Sequence, residues 1–157
     1  MTGYLELGRS EGATVLRGGS AASVDGFADG NFVQPTVFVD VDNSMRIAQE
    51  EIFGPVSTVL RWSDEEEMVA MANTSEYGLA GGLWTRDLTS AHRIASRLET
   101  GTVYVNQYYN FGVNMPIGGY KQSGFGREFS HEVLEQYTQT KSVIINLRPG
   151  KLGLFDG

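Results

Sequence analysis

The side chains able to do chemistry in this 157-residue sequence are few, and the first fact about them is that none is a cysteine. Without a thiol the sequence offers no disulfide, no thiolate metal site and no thiolate nucleophile. The histidines, His92 and His131, stand far apart, and only the neighbouring Glu132 gives either one a nearby carboxylate, so no metal site is expected. Neither lies in a G-x-S-x-G context, which argues against a serine relay. Residues 118–127 (GGYKQSGFGR) are glycine-rich and hold Lys121. A phosphate-binding loop, however, needs Gly-Lys-Ser/Thr entering a helix directly after a strand, and Lys121 precedes the second pair of glycines, so the segment reads as a tightly turning chain. The run Glu50-Glu51-Ile52-Phe53-Gly54-Pro55-Val56 is more telling. Consecutive carboxylates at a helix end point in different directions, so one can face solvent while its neighbour faces a cleft. Phe53 stands at a rigid Gly-Pro corner leading into a strand, the kind of sheet edge where α/β folds gather ligand groups.

The elements that must position these residues are clearest in the middle of the sequence. Val56–Trp62 is β-rich, and Ser63 followed by Glu66 fits a capping box for a helix to about Asn73 that buries Met68, Val69 and Ala72. Leu79–Trp84 reads as the next strand. Asp87 is placed to cap Leu88–Leu98, where Leu88, Ala91, Ile94, Ala95 and Leu98 share one face. Gly101 stands where a left-handed helix stop is expected, and Thr102–Asn106 follows as a third strand. This β-α-β-α-β alternation predicts an α/β fold with a partly parallel sheet and helical crossovers. Upstream, Ala13–Arg17 reads as a strand, residues 18–30 as a loop, and Phe32–Val41 as a β-rich run whose first half Pro35 demotes to an edge or bend. Asn43 or Ser44 could cap a short helix over Met45–Glu50. Downstream come a long loop over Gln107–Arg127, a helix over Ser130–Tyr137, a strand over Lys141–Leu147 placed to pair outside the main sheet, and a tail opening at Pro149.

Composition narrows the classes of function. With 41% hydrophobic and 20% charged residues the chain has ordinary globular composition, and no apolar run nears the roughly 18 residues of a membrane span. Nineteen acidic against 12 basic residues leave a formal charge of −7, which disfavours nucleic acid as a partner. No leader with a basic flank is visible at the N-terminus, and a cytoplasmic setting is the expectation.

Four motifs occur in order: EEIFGPV (50–56), YGLAGG (77–82), GTVYVN (101–106) and PIGGYKQSGFGRE (116–128). Together they resemble the C-terminal third of the NAD(P)-dependent aldehyde dehydrogenases, over nearly all of residues 3–147. The resemblance implies a three-layer catalytic domain of which residues 1–137 are an incomplete part, and residues 138–157 an oligomerisation strand and tail. It implies that Glu51 accepts hydrogen bonds from the hydroxyls of the nicotinamide ribose and that Phe53 packs near the nicotinamide of NAD or NADP. The loop matching Tyr108–Ile117 lines the aldehyde tunnel, with Phe111 and Ile117 at positions that usually supply apolar walls, an aromatic often standing in the family where this chain has Ile117. Glu128 matches a carboxylate suggested to relay a proton, a salt bridge to nearby basic groups being the other reading. The family's cysteine nucleophile and glutamate base lie upstream of the matching region. The chain alone is therefore expected to hold no catalytic nucleophile, to bind the cofactor weakly or not at all, and to be inactive on aldehydes. Lys141–Leu147 resembles the strand by which family subunits complete one another's sheets, so a homo-oligomer, or association with the missing N-terminal part, is implied. The competing readings are a non-catalytic association module and an unrelated binding role for exposed apolar surface.

Overall fold

In a computed structural model that describes residues 1–147 and Gly150, the chain begins with a helix that sequence periodicity did not reveal, α1 (Thr2–Ser10). It leads into β1 (Thr14–Arg17), the two-residue strands β2 (Ala21–Ala22) and β3 (Phe32–Val33), and β4 (Thr36–Val39). Pro35 separates β3 from β4, splitting the expected Phe32–Val41 run where a missing N–H interrupts a ladder. The short helix α2 (Arg46–Gln49) precedes β5 (Val56–Thr58). Then follow α3 (Glu65–Asn73), β6 (Tyr77–Gly78), β7 (Ala80–Leu83), α4 (Leu88–Ala95), β8 (Thr102–Val105), β9 (Tyr120–Lys121) and α5 (Val133–Gln136).

The fold is α/β with parallel and antiparallel ladders, as expected, but its strands are divided among small sheets. β4 pairs antiparallel with β1 and parallel with β5, while β7 pairs parallel with β8 in a separate sheet. The antiparallel pairs β2–β3 and β6–β9 complete the set. The crossover through α4 thus joins two parallel neighbours, whereas β5 and β7, on either side of α3, do not pair.

The principal core lies where α1 and α2 cover the β1–β4–β5 sheet: Leu5, Ala13, Phe38, Val41 and Ile47 are buried together, Phe38 completely. Around β7, β8 and their helices, only Val69, Ala91 and Tyr104 are buried hydrophobics. Leu88 and Ala72, expected on buried helix faces, are exposed.

The caps differ in instructive ways. Asp64, not Ser63, is the N-cap of α3 and accepts from the Glu67 N–H, while the Glu67 carboxylate accepts from the backbone and hydroxyl of Ser63. The reciprocal cap is present, one residue on from the expected one. Asp87 caps α4 as expected, accepting from Thr89 and Ser90. At α2 neither Asn43 nor Ser44 caps; the Glu11 carboxylate, delivered by the end of α1, accepts from the Arg46 N–H at 3.0 Å.

Gly101 is not the left-handed stop expected after α4, which ends at Ser96. It is required because its backbone lies against the Gly118 carbonyl, where a Cβ would collide. The last helix is shorter than Ser130–Tyr137, and Lys141–Leu147 forms no ladder among the described residues. None of the strands among the described residues includes this segment, and Val143, Ile144, Ile145 and Leu147 are exposed, Ile144 at 95%. The tail expected from Pro149 lies outside the described residues apart from Gly150. No helix among the described residues is long and apolar enough to cross a membrane.

A core this small makes Phe38 decisive. Phe38→Ala is expected to lose about 3–5 kcal/mol in urea unfolding followed by circular dichroism; a loss below about 1 kcal/mol would show that the core lies elsewhere.

Candidate active-site surfaces

The two acidic neighbours at the end of α2 have separate fates. Glu50 is engaged by its own surroundings: the Arg46 guanidinium donates through Nε at 2.6 Å and Nη2 at 3.0 Å, and the Tyr4 hydroxyl donates at 2.9 Å from α1. The i to i+4 spacing on a single helical turn makes the two-point Arg46 contact possible. The Arg46 hydrogen bonds, then that from Tyr4, hold the Glu50 carboxyl below the usual carboxylate range, and the same contact pushes the Tyr4 hydroxyl up. Glu51 is exposed and makes no hydrogen bond or ion pair among the described residues. It lines a cleft of about 390 Å³ with Glu50, Ile47, Ala48, Ile52, Phe53 and Val56, the Glu50 oxygens being already engaged by Arg46 and Tyr4.

Phe53 is 86% exposed on that cleft and has a left-handed backbone, φ +52°. A non-glycine residue there costs on the order of 1–3 kcal/mol, a strain the surrounding structure must sustain. Here it turns a large apolar ring outward beside an unpartnered carboxylate. An acceptor-only carboxylate and an aromatic ring lining one cleft suit a sugar diol, whose hydroxyls donate, adjoining a flat heterocycle.

Phe111, Ile117 and Glu128 meet in a second pocket of about 340 Å³. Ile117 and Glu128 face each other across an isolated antiparallel bridge, with Glu128 N–H to Ile117 C=O at 2.7 Å and the reverse bond at 2.9 Å. Rings supply much of the remaining wall: Tyr108 and Tyr109 from the loop already expected to line it, and Tyr104 and Phe129 from outside that loop. Phe111 contacts Tyr109 edge-on, with ring centroids 5.7 Å apart, and Phe129 at 5.3 Å; Tyr104 contacts Tyr108 at 5.3 Å. Thr102 also lines this pocket, and its hydroxyl oxygen is buried without a hydrogen-bond partner. Density of aromatic residues over 104–111 was the available signal, masked by a loop without periodicity.

The Glu128 side chain makes no ion pair among the described residues: neighbouring Arg127 instead donates to the Gly119 and Gly126 carbonyls and lies over the Tyr120 ring. The two pockets share no lining residue, so the structure groups Glu51 with Phe53 and, separately, Phe111 with Ile117 and Glu128. His92 and His131 are exposed, and no group of three or more potential metal ligands occurs among the described residues.

The sequence profile of the aldehyde dehydrogenase family matches residues 1–143. The chain belongs to that family. Among curated relatives, the betaine aldehyde dehydrogenase of Rhizobium etli (strain CIAT 652) is 52% identical over 147 residues, covering 93% of this chain and 30% of that protein. The Brucella anthropi enzyme of the same name is 46% identical over 144 residues. Among solved structures, an NAD+ complex of Bacillus cereus aldehyde dehydrogenase superposes with TM-score 0.88 at 47% identity, over 94% of this chain and 29% of that one. Staphylococcus aureus betaine aldehyde dehydrogenase with NAD+ gives 0.93 at 42% identity, over 99% and 31%. The chain thus spans about 30% of the length of the aldehyde dehydrogenases it matches.

The Glu50 contacts predict a titration. With its folded pKa depressed below an ordinary value near 4.5, the carboxylate contributes stability above that pH and loses it as pH falls through the lower folded value. Removing the phenol donor in Tyr4→Phe should move the Glu50 midpoint upward, read by carboxyl carbon NMR; an unmoved midpoint would mean that Tyr4 does not act on Glu50.

Proposed function

We propose that this chain supplies the C-terminal third of an NAD(P)-dependent aldehyde dehydrogenase, oxidising an aldehyde to a carboxylic acid, and that it is inactive alone. The observation that carries the reading is the division between Glu50, held by Arg46 and Tyr4, and Glu51, unpartnered among the described residues in the cleft it shares with the exposed Phe53 ring. Glu51 accepts hydrogen bonds from the nicotinamide-ribose hydroxyls, and Phe53 packs at the nicotinamide, which accepts a hydride when bound. Phe111 and Ile117 wall the aldehyde's approach, and Glu128 is placed to pass a proton. Residues 1–137 form part of the catalytic domain and 138–157 the subunit-pairing segment, in which Lys141–Leu147 completes a ladder with another subunit. These 157 residues hold no cysteine, so the attacking thiolate belongs to other sequence. Association with a segment carrying that thiolate gives activity; without it, cofactor binding is weak or absent. A cytoplasmic location accords with the absence of cysteine.

The names of the relatives and the aromatic pocket favour an aldehyde carrying a quaternary ammonium group. The faces of Tyr108, Tyr109, Phe111 and Phe129 attract such a cation, and the Glu128 carboxylate adds charge of the right sign. A second reading, a non-catalytic association module, draws on the exposed apolar side chains of Val143, Ile144, Ile145 and Leu147.

Two experiments decide. The 157-residue chain with betaine aldehyde and NAD+ or NADP+ should give no absorbance rise at 340 nm; turnover would overturn the inactivity claim. A chimera in which this chain replaces the matching third of the Rhizobium etli enzyme should oxidise betaine aldehyde. In it, Glu51→Gln should raise the cofactor KM roughly tenfold, the worth of one charge-assisted hydrogen bond. The chimera should also prefer betaine aldehyde over its neutral isostere 3,3-dimethylbutanal by roughly tenfold in kcat/KM. Equal rates on the two would remove the cation from the reading.

A further inference from the structure

Lys121 is the one lysine of the glycine-rich segment, and neither the cleft nor the aromatic pocket includes it. Its ammonium is nevertheless fully engaged. Nζ donates to the Asn73 carbonyl at 2.7 Å and the Ser75 carbonyl at 3.1 Å, and lies 2.7 Å from Glu99 Oε2. An ammonium has three N–H donors, and three acceptors converge on it from two places in the sequence, the end of α3 and the turn after α4. One of them, Asn73, closes α3, where the unsatisfied carbonyls and the helix dipole favour a cation. The node is reinforced by Asn73 itself, whose side chain donates to the Arg97 carbonyl and accepts from the Glu99 N–H, tying the end of α3 to the turn after α4. The Lys121 side chain is only 26% exposed.

Lys121 also lies in β9, paired with β6, with Gln122 N–H donating to the Glu76 carbonyl and Gly78 N–H to the Ser123 hydroxyl. Gly101 and Gly118 are in backbone contact alongside. The segment so anchored begins at Ile117 and ends at Glu128, the bridged pair that lines the aromatic pocket. We infer that Lys121 is a positioning residue: its ammonium locks residues 117–128 onto the ends of α3 and α4 and thereby sets where Ile117 and Glu128 stand in the pocket. The inference goes beyond the proposed function and holds whether or not the pocket receives an aldehyde. An arginine should not substitute, because its donors diverge in a plane and cannot meet three acceptors gathered around one nitrogen.

The test uses the 157-residue chain with isoleucine δ1 methyls labelled for NMR. In Lys121→Met, which keeps the aliphatic stem and removes the three donors, the Ile117 methyl should shift beyond its wild-type linewidth while the Ile47 methyl, in the principal core, stays in place. Lys121→Arg should leave Ile117 displaced. A loss of melting temperature with Ile117 unmoved would make Lys121 a stabilising residue only and overturn the inference, as would full restoration by arginine. If Lys121→Met does not fold, Glu99→Gln, which removes one charge at an exposed site, reads the same methyl. Displacement of Ile117 there supports the positioning role, and a wild-type position overturns it.

Discussion

The contact between Arg46 and Glu50 is the interaction on which the half of this surface around Glu51 and Phe53 depends. One turn of helix brings the guanidinium onto the Glu50 carboxylate, and Tyr4 from α1 closes on the same oxygen pair, so that carboxylate is spent within the fold. Its neighbour Glu51 makes no hydrogen bond or ion pair among the described residues. The arrangement is inexpensive because the partners are surface groups with little desolvation to overcome. Its consequence is directional rather than energetic: both carboxylates line the cleft, and the contact fixes which of the two is already engaged. The strained backbone at Phe53 acts in the same sense, presenting a ring that hydrophobic burial alone would have turned inward.

The other half depends on backbones brought into contact. Gly101 against Gly118, and Gly78, where a Cβ would lie 2.5 Å from the Glu99 carbonyl, allow three stretches of chain to lie closer than side chains permit. Residues 117–128 are thereby held beside β6 and β8, and the rings of residues 104–111 complete a wall facing Ile117. The small buried core and many exposed apolar side chains are what a segment spanning about 30% of its relatives' length would carry if further sequence covers it.

Legibility in the sequence followed the range of the forces involved. α3, α4 and the parallel pair β7–β8 were readable because caps and periodicity are local, and Pro35 marked its break correctly. α1 was not read, since its buried positions Leu5 and Gly8 give no clear stripe without Phe38 to define the face. The cap of α2 comes from Glu11, 35 residues away in sequence, which no local pattern discloses. Gly101 was correctly marked as needing glycine, but for the wrong reason: a close approach, not a left-handed turn. Glu51 and Phe53 already stood out in the Glu-Glu-Ile-Phe-Gly-Pro run and Phe111, Ile117 and Glu128 only through the resemblance to the family, whereas the placing of Glu128 in one pocket with Phe111 and Ile117 is a tertiary fact. The division of the strands into separate sheets was also beyond local reading, because which strand pairs with which is settled by distant segments.

The central claim, that Glu51 holds the nicotinamide ribose, is tested most directly by a double-mutant cycle in the chimeric enzyme. NAD+ and an analogue lacking the 3′-hydroxyl of the nicotinamide ribose are compared on the parent and on the Glu51→Gln variant. The account predicts that deleting the hydroxyl costs the parent roughly tenfold in kcat/KM and costs the variant little, a coupling of about 1 kcal/mol or more. Equal losses in both enzymes, with no coupling, would contradict it.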